Sequence, residues 1–193
     1  MNLPNKITCL RILLTGVVLI FASFFNFYSI LIAATLGIII ALMDLLDGYL
    51  ARKYKIITDF GRIIDPIADK IFSVMVFTYF VSIGMMPFSI VAIILAREIA
   101  VSGIRILGAR ADRIIAADLF GKIKTGFQSF TFLFFALVLL HHLYVKDFHA
   151  TGIINEEFVK GAILNPLLYL TLIFTVLSFV NYIYKNRHLF KDL

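Results

Sequence analysis

Charge is what this 193-residue sequence has least of: only 16% of its residues are Asp, Glu, Lys or Arg, against 61% hydrophobic. A soluble domain of that composition would lack the polar residues needed to cover its surface, so a water-soluble globule is excluded and a membrane protein is expected. Cysteine is nearly missing too. Cys9 stands alone, which rules out a disulfide within the chain and a thiolate metal cluster built by one chain. A cleavable secretory leader is not expected. Lys6 and Arg11 do precede an apolar run, but no small-x-small cleavage site follows before Phe24 and Phe25, so the run reads as a retained first span. Internal repeats and low-complexity tracts are also missing.

The formal charge of +6 does not point to nucleic acid, because the basic residues fall between hydrophobic runs and no aromatic-studded polar surface accompanies them. From Ile12 to Met43 there is no charge at all. As one helix that stretch would be about 48 Å long, well beyond a hydrocarbon core of about 30 Å, so it must reverse once. Asn26-Phe27-Tyr28-Ser29 is the expected reversal, with spans near 8–25 and 30–52. Gly84-Met85-Met86-Pro87 breaks the next run into spans near 63–82 and 88–107, and two more follow near 119–143 and 161–184. The expected fold is an all-α, polytopic membrane protein, a bundle of six transmembrane helices, with residues 1–193 forming a single domain. Lys and Arg gather in alternate connections, around Lys6 and Arg11, Arg52 to Arg62, Arg105 to Lys124 and Lys185 to Lys191, while the opposite set holds Lys146 and Lys160. That bias places both termini on the cytoplasmic side of the cell membrane.

Against this background, four of the twelve acidic residues form two close pairs within one short segment. Asp44 and Asp47 are spaced i, i+3 and Asp65 and Asp69 i, i+4, so each pair shares a helix face. A short basic loop joins the two helices, so their ends should lie side by side at one membrane surface. Asp44 sits about 12 Å below the level of Arg52, where an unpaired carboxylate costs about 2.5–3.5 kcal/mol. Four converging carboxylates repel one another unless a divalent cation neutralises them, and all-oxygen ligation suits Mg²⁺, Mn²⁺ or Ca²⁺ rather than zinc or copper. Lys70 and Arg52 are the counter-ions of the competing reading, a structural salt-bridge cluster. Gly48, one turn from Asp44, would leave bare backbone for a diphosphate, with the forked guanidinium of Arg52 one turn further on. Gly48 or Gly61 taken singly reads equally as a helix-packing contact.

The pattern Asp-x2-Asp-Gly-x2-Ala-Arg-x8-Gly-x3-Asp-x3-Asp, eight specified residues over 26 positions, resembles the signature of the CDP-alcohol phosphotransferase family at every fixed position. The resemblance covers nearly the whole chain and implies six membrane helices, a homodimer, and attack by an alcohol on a metal-bridged CDP-linked donor with release of CMP. By resemblance Asp44, Asp47, Asp65 and Asp69 bind Mg²⁺ (or Mn²⁺), Asp69 is also the catalytic base, and Gly48, Arg52 and Thr58 contact CDP-diacylglycerol. The stretch Asn5-x-x-Thr8-x-x-Arg11 resembles the segment before the first span of bacterial members. Asn5 and Thr8 therefore either contact the donor nucleotide or belong to the helix start, with Asn5 or Pro4 as cap.

The fourth span carries charge where none is needed for insertion. Arg97 and Arg105 lie two turns apart on one face, and Lys122 and Lys124 open the fifth span. An acceptor with its own phosphate would use such groups, whereas serine, inositol or choline would not need as many. Arg97, Arg105 and Lys122 are the expected acceptor-phosphate ligands, and these stretches resemble glycerophosphate-using members of the family. The expected reaction is transfer of the phosphatidyl group of CDP-diacylglycerol to glycerol 3-phosphate, giving phosphatidylglycerophosphate and CMP. Arg110, Arg113 and Lys124 read as orientation signals or lipid-headgroup contacts, Arg97 alternatively as a partner of Glu98 or an aspartate, and His141, His142 and His149 receive no role. Rival readings are a cardiolipin or phosphatidylserine synthase of the same family and, from another class, a divalent-cation transporter. The transporter reading is disfavoured because the acids cluster toward one surface and no inverted repeat is visible.

Overall fold

The structure, a computed structural model, describes the backbone of residues 3–54, 59–110, 119–152 and 155–187; within these, the side chains of 3–4, 47–54, 59–63, 65–66, 69, 105–110, 119 and 156 are not described. The protein is all-α. Its helices are α1 (Leu3–Ser23), α2 (Phe27–Tyr54), α3 (Asp59–Ser82), α4 (Phe88–Arg110), α5 (Leu119–Phe148), the short α6 (Glu156–Val159), and α7 (Asn165–Asn186), with a π turn at Lys160–Leu164 between the last two. Among the described residues, α1, α2, α5 and the α6–α7 run each contain a stretch long and apolar enough to cross a membrane. The protein is membrane-integral.

The distribution of side chains is that of a lipid-facing molecule. Leu13, Ile20, Leu45, Phe88, Ile99 and Val180 are exposed, while Thr8, Thr15, Thr131, Thr171, Thr175 and Ser178 are buried. In water this arrangement would be upside down; in hydrocarbon it is the stable one, because hydroxyls find partners only inside the protein. Most of these hydroxyls bond back to their own helix, Thr15 to Arg11 O at 2.8 Å and Thr175 to Thr171 O at 2.6 Å.

Both expected reversals are present, each with a local cause. Phe25 takes a left-handed φ of 48°, and α2 opens at Phe27, with the Asn26 side chain accepting from Ser29 N at 3.0 Å as an N-cap. Gly84, at φ 72°, ends α3: Met85 N donates to Phe80 O at 3.0 Å and Gly84 N to Val81 O at 3.0 Å, the paired bonds of a Schellman stop, with Pro87 just beyond. Only glycine takes that φ without steric cost.

α5 and the last span run further than the sequence predicts. α5 stays helical to Phe148 instead of ending near 143, because its last turns pack onto the start of α2. The rings of Phe27, Tyr28, Tyr144 and Phe148 meet edge to edge or tilted with centroids 5.2–5.9 Å apart. Asp147 Oδ2 also accepts from Phe27 N at 2.7 Å, satisfying a helix-start N–H that has no partner within α2. The last span begins at Glu156 rather than 161, through a π turn in which Asn165 N donates to Lys160 O. Pro166 follows directly, and the wider turn accommodates a residue that lacks an N–H and crowds the preceding carbonyl.

Packing divides the chain into two compact units. The first, residues 1–79 with 139–152, is built on the α1–α2 hairpin, whose inner surface carries the small side chains Ala22 and Ala33 beside Val18, Ile30 and Ile40. Small residues let helix backbones approach, and at Gly37 a Cβ would lie 3.6 Å from Phe72 Cζ of α3. The second unit, residues 80–138 with 153–193, packs α4 and the first half of α5 against α7. Its core includes Phe80 edge-on to Phe135 at 5.6 Å, Phe127 stacked on Phe174 at 4.7 Å, and Tyr182 against Val101 and Ile104.

Candidate active site

In the first unit, one face of α1 is polar over its first half. Asn5, Thr8, Arg11 and Thr15 recur at helical spacing and are all buried, after which the same face turns apolar at Val18 and Ala22. Because α1 already runs from Leu3, neither Pro4 nor Asn5 precedes it as a cap, and the helix-start reading of Asn5 gives way to an inward-facing one.

Arg11 Nη1 forms an ion pair with Asp44 Oδ1 of α2. The two partners differ sharply in exposure, 4% for the arginine side chain and 51% for the aspartate. Among the described residues, the ion-pair partner of Asp44 thus comes from α1. Lys70 is half-buried in α3, and the Arg52 side chain lies outside the described residues. The sequence shows that the two residues lie at similar depths, though not that they face each other. Counted from the reversal near residue 25, Arg11 lies about 21 Å back along α1 and Asp44 about 28 Å along α2, a difference a long arginine can bridge between antiparallel neighbours.

The remaining motif residues are located by backbone. Asp47 and Gly48 lie with Asp44 in the last three turns of α2, and Arg52 in its final turn. Gly61, Asp65 and Asp69 lie in the first three turns of α3, and Thr58 falls in the undescribed connection. Asp44 is the motif aspartate whose side chain is described. Its donor chemistry fits a magnesium-like ion: a hard carboxylate, one oxygen engaged by Arg11, half of the side chain open. No group of three His, Cys, Asp or Glu comes together among the described residues, a set that omits the side chains of Asp47, Asp65 and Asp69.

The second unit holds the expected acceptor ligands. Arg97 is half-buried in α4, and its Nη2 donates to Ser178 Oγ of α7. Lys122 is exposed on α5; Arg105 lies in α4 with its side chain outside the described residues. One reading of the sequence is corrected here. Lys124 is not an orientation signal or a headgroup contact: it is buried and ion-paired to Glu98, with side-chain exposures of 3% and 2%. Glu98 pairs with Lys124, and Arg97 bonds to Ser178. Spacing would have revealed this, since Lys124, Gln128, Thr131 and Phe135 follow one inward-facing stripe and Lys122 stands off it.

Comparison with known proteins follows the same lines. A family model described as CDP-alcohol phosphatidyltransferase matches residues 1–181. Three relatives carry the name CDP-diacylglycerol–glycerol-3-phosphate 3-phosphatidyltransferase. That of Bacillus subtilis is 33% identical, covering 96% of this chain and 95% of the relative. The proteins of Rickettsia felis, at 33% over 89% and 90%, and Mycoplasma pneumoniae, at 33% over 82% and 69%, are similar across most of the chain.

Proposed function

Because this chain belongs to the CDP-alcohol phosphatidyltransferase family, we propose that it transfers the phosphatidyl group of CDP-diacylglycerol to glycerol 3-phosphate, producing phosphatidylglycerophosphate and CMP. The observation that carries the reading is the complete eight-residue motif of Asp44 to Asp69, laid across the end of α2 and the start of α3, in a chain that spans 95% of a relative bearing that name.

Each residue has a physical task. Asp69 accepts the proton of the acceptor's free primary hydroxyl; that oxygen bonds to the phosphatidyl phosphorus as the bond to CMP breaks, and the electron pair leaves with CMP. Arg52 holds diphosphate oxygens through its forked donors, with the backbone at Gly48 leaving room for them, and Thr58 adds a hydroxyl contact. Asn5 and Thr8, on the polar face of α1, bind the donor nucleotide. Asp44, Asp47, Asp65 and Asp69 would hold Mg²⁺ (or Mn²⁺), which would supply positive charge against that growing on the phosphoryl oxygens and on departing CMP. Arg97, Arg105 and Lys122 receive the phosphate of glycerol 3-phosphate.

Lysine and arginine bias supports a multi-pass protein of the cytoplasmic membrane, with both termini and the active site facing the cytoplasm. Family resemblance supports a homodimer. The test is CMP release by purified protein given CDP-diacylglycerol and, in turn, glycerol 3-phosphate, serine, inositol and phosphatidylglycerol. Release with glycerol 3-phosphate alone is expected; release only with another alcohol would overturn the acceptor assignment and leave the family intact.

A further inference from the structure

Within the second unit, the inward stripe of α5 faces α7 in a register that two contacts fix. Phe127 stacks on Phe174, and the hydroxyls of Thr131 and Thr171 bond to each other. The two helices therefore run antiparallel, and one turn back along α5 matches one turn onward along α7. Gln128 comes level with Thr175, and Lys124 with Ser178, whose hydroxyl accepts from Arg97 of α4. The polar side chains on either side of Gln128 are bonded inside the protein: Lys124 to Glu98, Thr131 to Thr171, Thr175 to the Thr171 carbonyl and Ser178 to Arg97. Gln128 differs. It is 5% exposed, yet among the described residues its amide has no hydrogen-bond partner.

An amide brings two N–H donors and a carbonyl acceptor, and leaving them unbonded in an apolar interior is costly. The matching ligand group is one that both gives and takes a hydrogen bond, as a hydroxyl does. We infer that Gln128 is a specificity-determining residue that binds the secondary hydroxyl of a phosphorylated polyol acceptor. The inference rests on the proposed role of Arg97 as a ligand of the acceptor phosphate. In glycerol 3-phosphate the secondary hydroxyl is on the carbon next to the phosphate-bearing one, within about 5.4 Å of the phosphorus, the height of one helix turn. Gln128 lies about one turn from the layer of Ser178 and Arg97, so one small molecule can meet both. The primary hydroxyl is consumed by the transfer, which leaves the secondary one for recognition alone. A site that bonds a hydroxyl rejects the analogue lacking it more sharply than an apolar pocket does, because the amide is then left open.

The experiment compares kcat/KM for glycerol 3-phosphate and for 3-hydroxypropyl phosphate, which keeps the phosphate and the primary hydroxyl but lacks the secondary one. Full-length protein in lipid nanodiscs containing CDP-diacylglycerol is used, as wild type, Gln128→Leu and Gln128→Met. Wild type should favour glycerol 3-phosphate by about tenfold, the worth of one neutral hydrogen bond. Gln128→Leu should bring the two acceptors to within about twofold of each other, mainly by raising KM for glycerol 3-phosphate, with KM for CDP-diacylglycerol unchanged. A folded Gln128→Leu protein that keeps the wild-type ratio overturns the inference, as does a wild type that uses both acceptors equally. Should Gln128→Leu not fold, Gln128→Met decides by the same ratio. Failure of both to fold would show an amide already bonded within the protein, and overturns the inference too. Wild type that releases CMP only with another alcohol removes the acceptor assignment itself, whereas turnover of glycerol 3-phosphate with an unchanged ratio removes only the role of Gln128.

Discussion

Each unit of the molecule contains an ion pair between helices, and the two pairs are built in opposite ways. Glu98 and Lys124 are both shut away and paired with each other. Arg11 and Asp44 are asymmetric, the cation interior and the anion half-open. A closed pair can only hold helices in place, and it does so at a desolvation cost that leaves it vulnerable to loss of either partner. A half-open pair leaves carboxylate surface available to something else. The difference separates an enclosed pair from one with open carboxylate surface more clearly than charge alone, since both pairs join an acid to a base inside an apolar chain.

The comparison breaks most severely at Asp69. Asp69→Asn should reduce CMP release by about 10²–10⁴-fold, the usual contribution of a positioned general base, with donor binding only modestly weakened because the other aspartates remain. Undiminished turnover would remove the base role. The closed pair comes next. Glu98→Ala leaves Lys124 buried without its anion and should cost about 3–5 kcal/mol of stability, while Glu98→Leu combined with Lys124→Met should recover most of it. Thermal unfolding of the purified proteins would show this, and a double variant no more stable than the single one would mean that the pair is more than scaffold. By contrast Arg11→Met removes the buried cation and leaves Asp44 half-open, so the stability cost should be smaller, about 1 kcal/mol. A loss as large as that of Glu98→Ala would erase the distinction between the two pairs. The smallest effect belongs to a neutral contact in the second unit, the 2.7 Å bond between Thr131 and Thr171 hydroxyls. Thr171→Val should cost about 0.6 kcal/mol, the average for polar contacts between membrane helices, measured by the same unfolding assay.

Much of this architecture is legible in the residues. The reversals at Asn26 and Gly84 follow from punctuation within uncharged runs, because a helix too long for the bilayer must turn where a cap or a left-handed glycine allows it. The aspartate motif is legible for the same local reason: spacings of three and four put each pair on one helix face whatever the rest of the chain does. The helix extension to Phe148 was not legible, because it depends on aromatic rings and an Asp147 cap reaching residues more than a hundred positions away. The role of Lys124 was legible only in part: composition marks a lysine near a membrane boundary as a headgroup contact, the spacing of its stripe on α5 points it inward, and only packing brings it to Glu98.

By itself, then, the sequence determined a membrane-embedded helical protein, its reversals, and a CDP-alcohol motif at the junction of α2 and α3. These are properties of runs, periods and spacings, which act over a few residues. Tertiary structure alone decided which cation meets which carboxylate, Arg11 with Asp44 across 33 positions of chain and Lys124 with Glu98. The physical reason is that an ion pair between helices depends on depth and facing together, and both are set by how neighbouring helices pack.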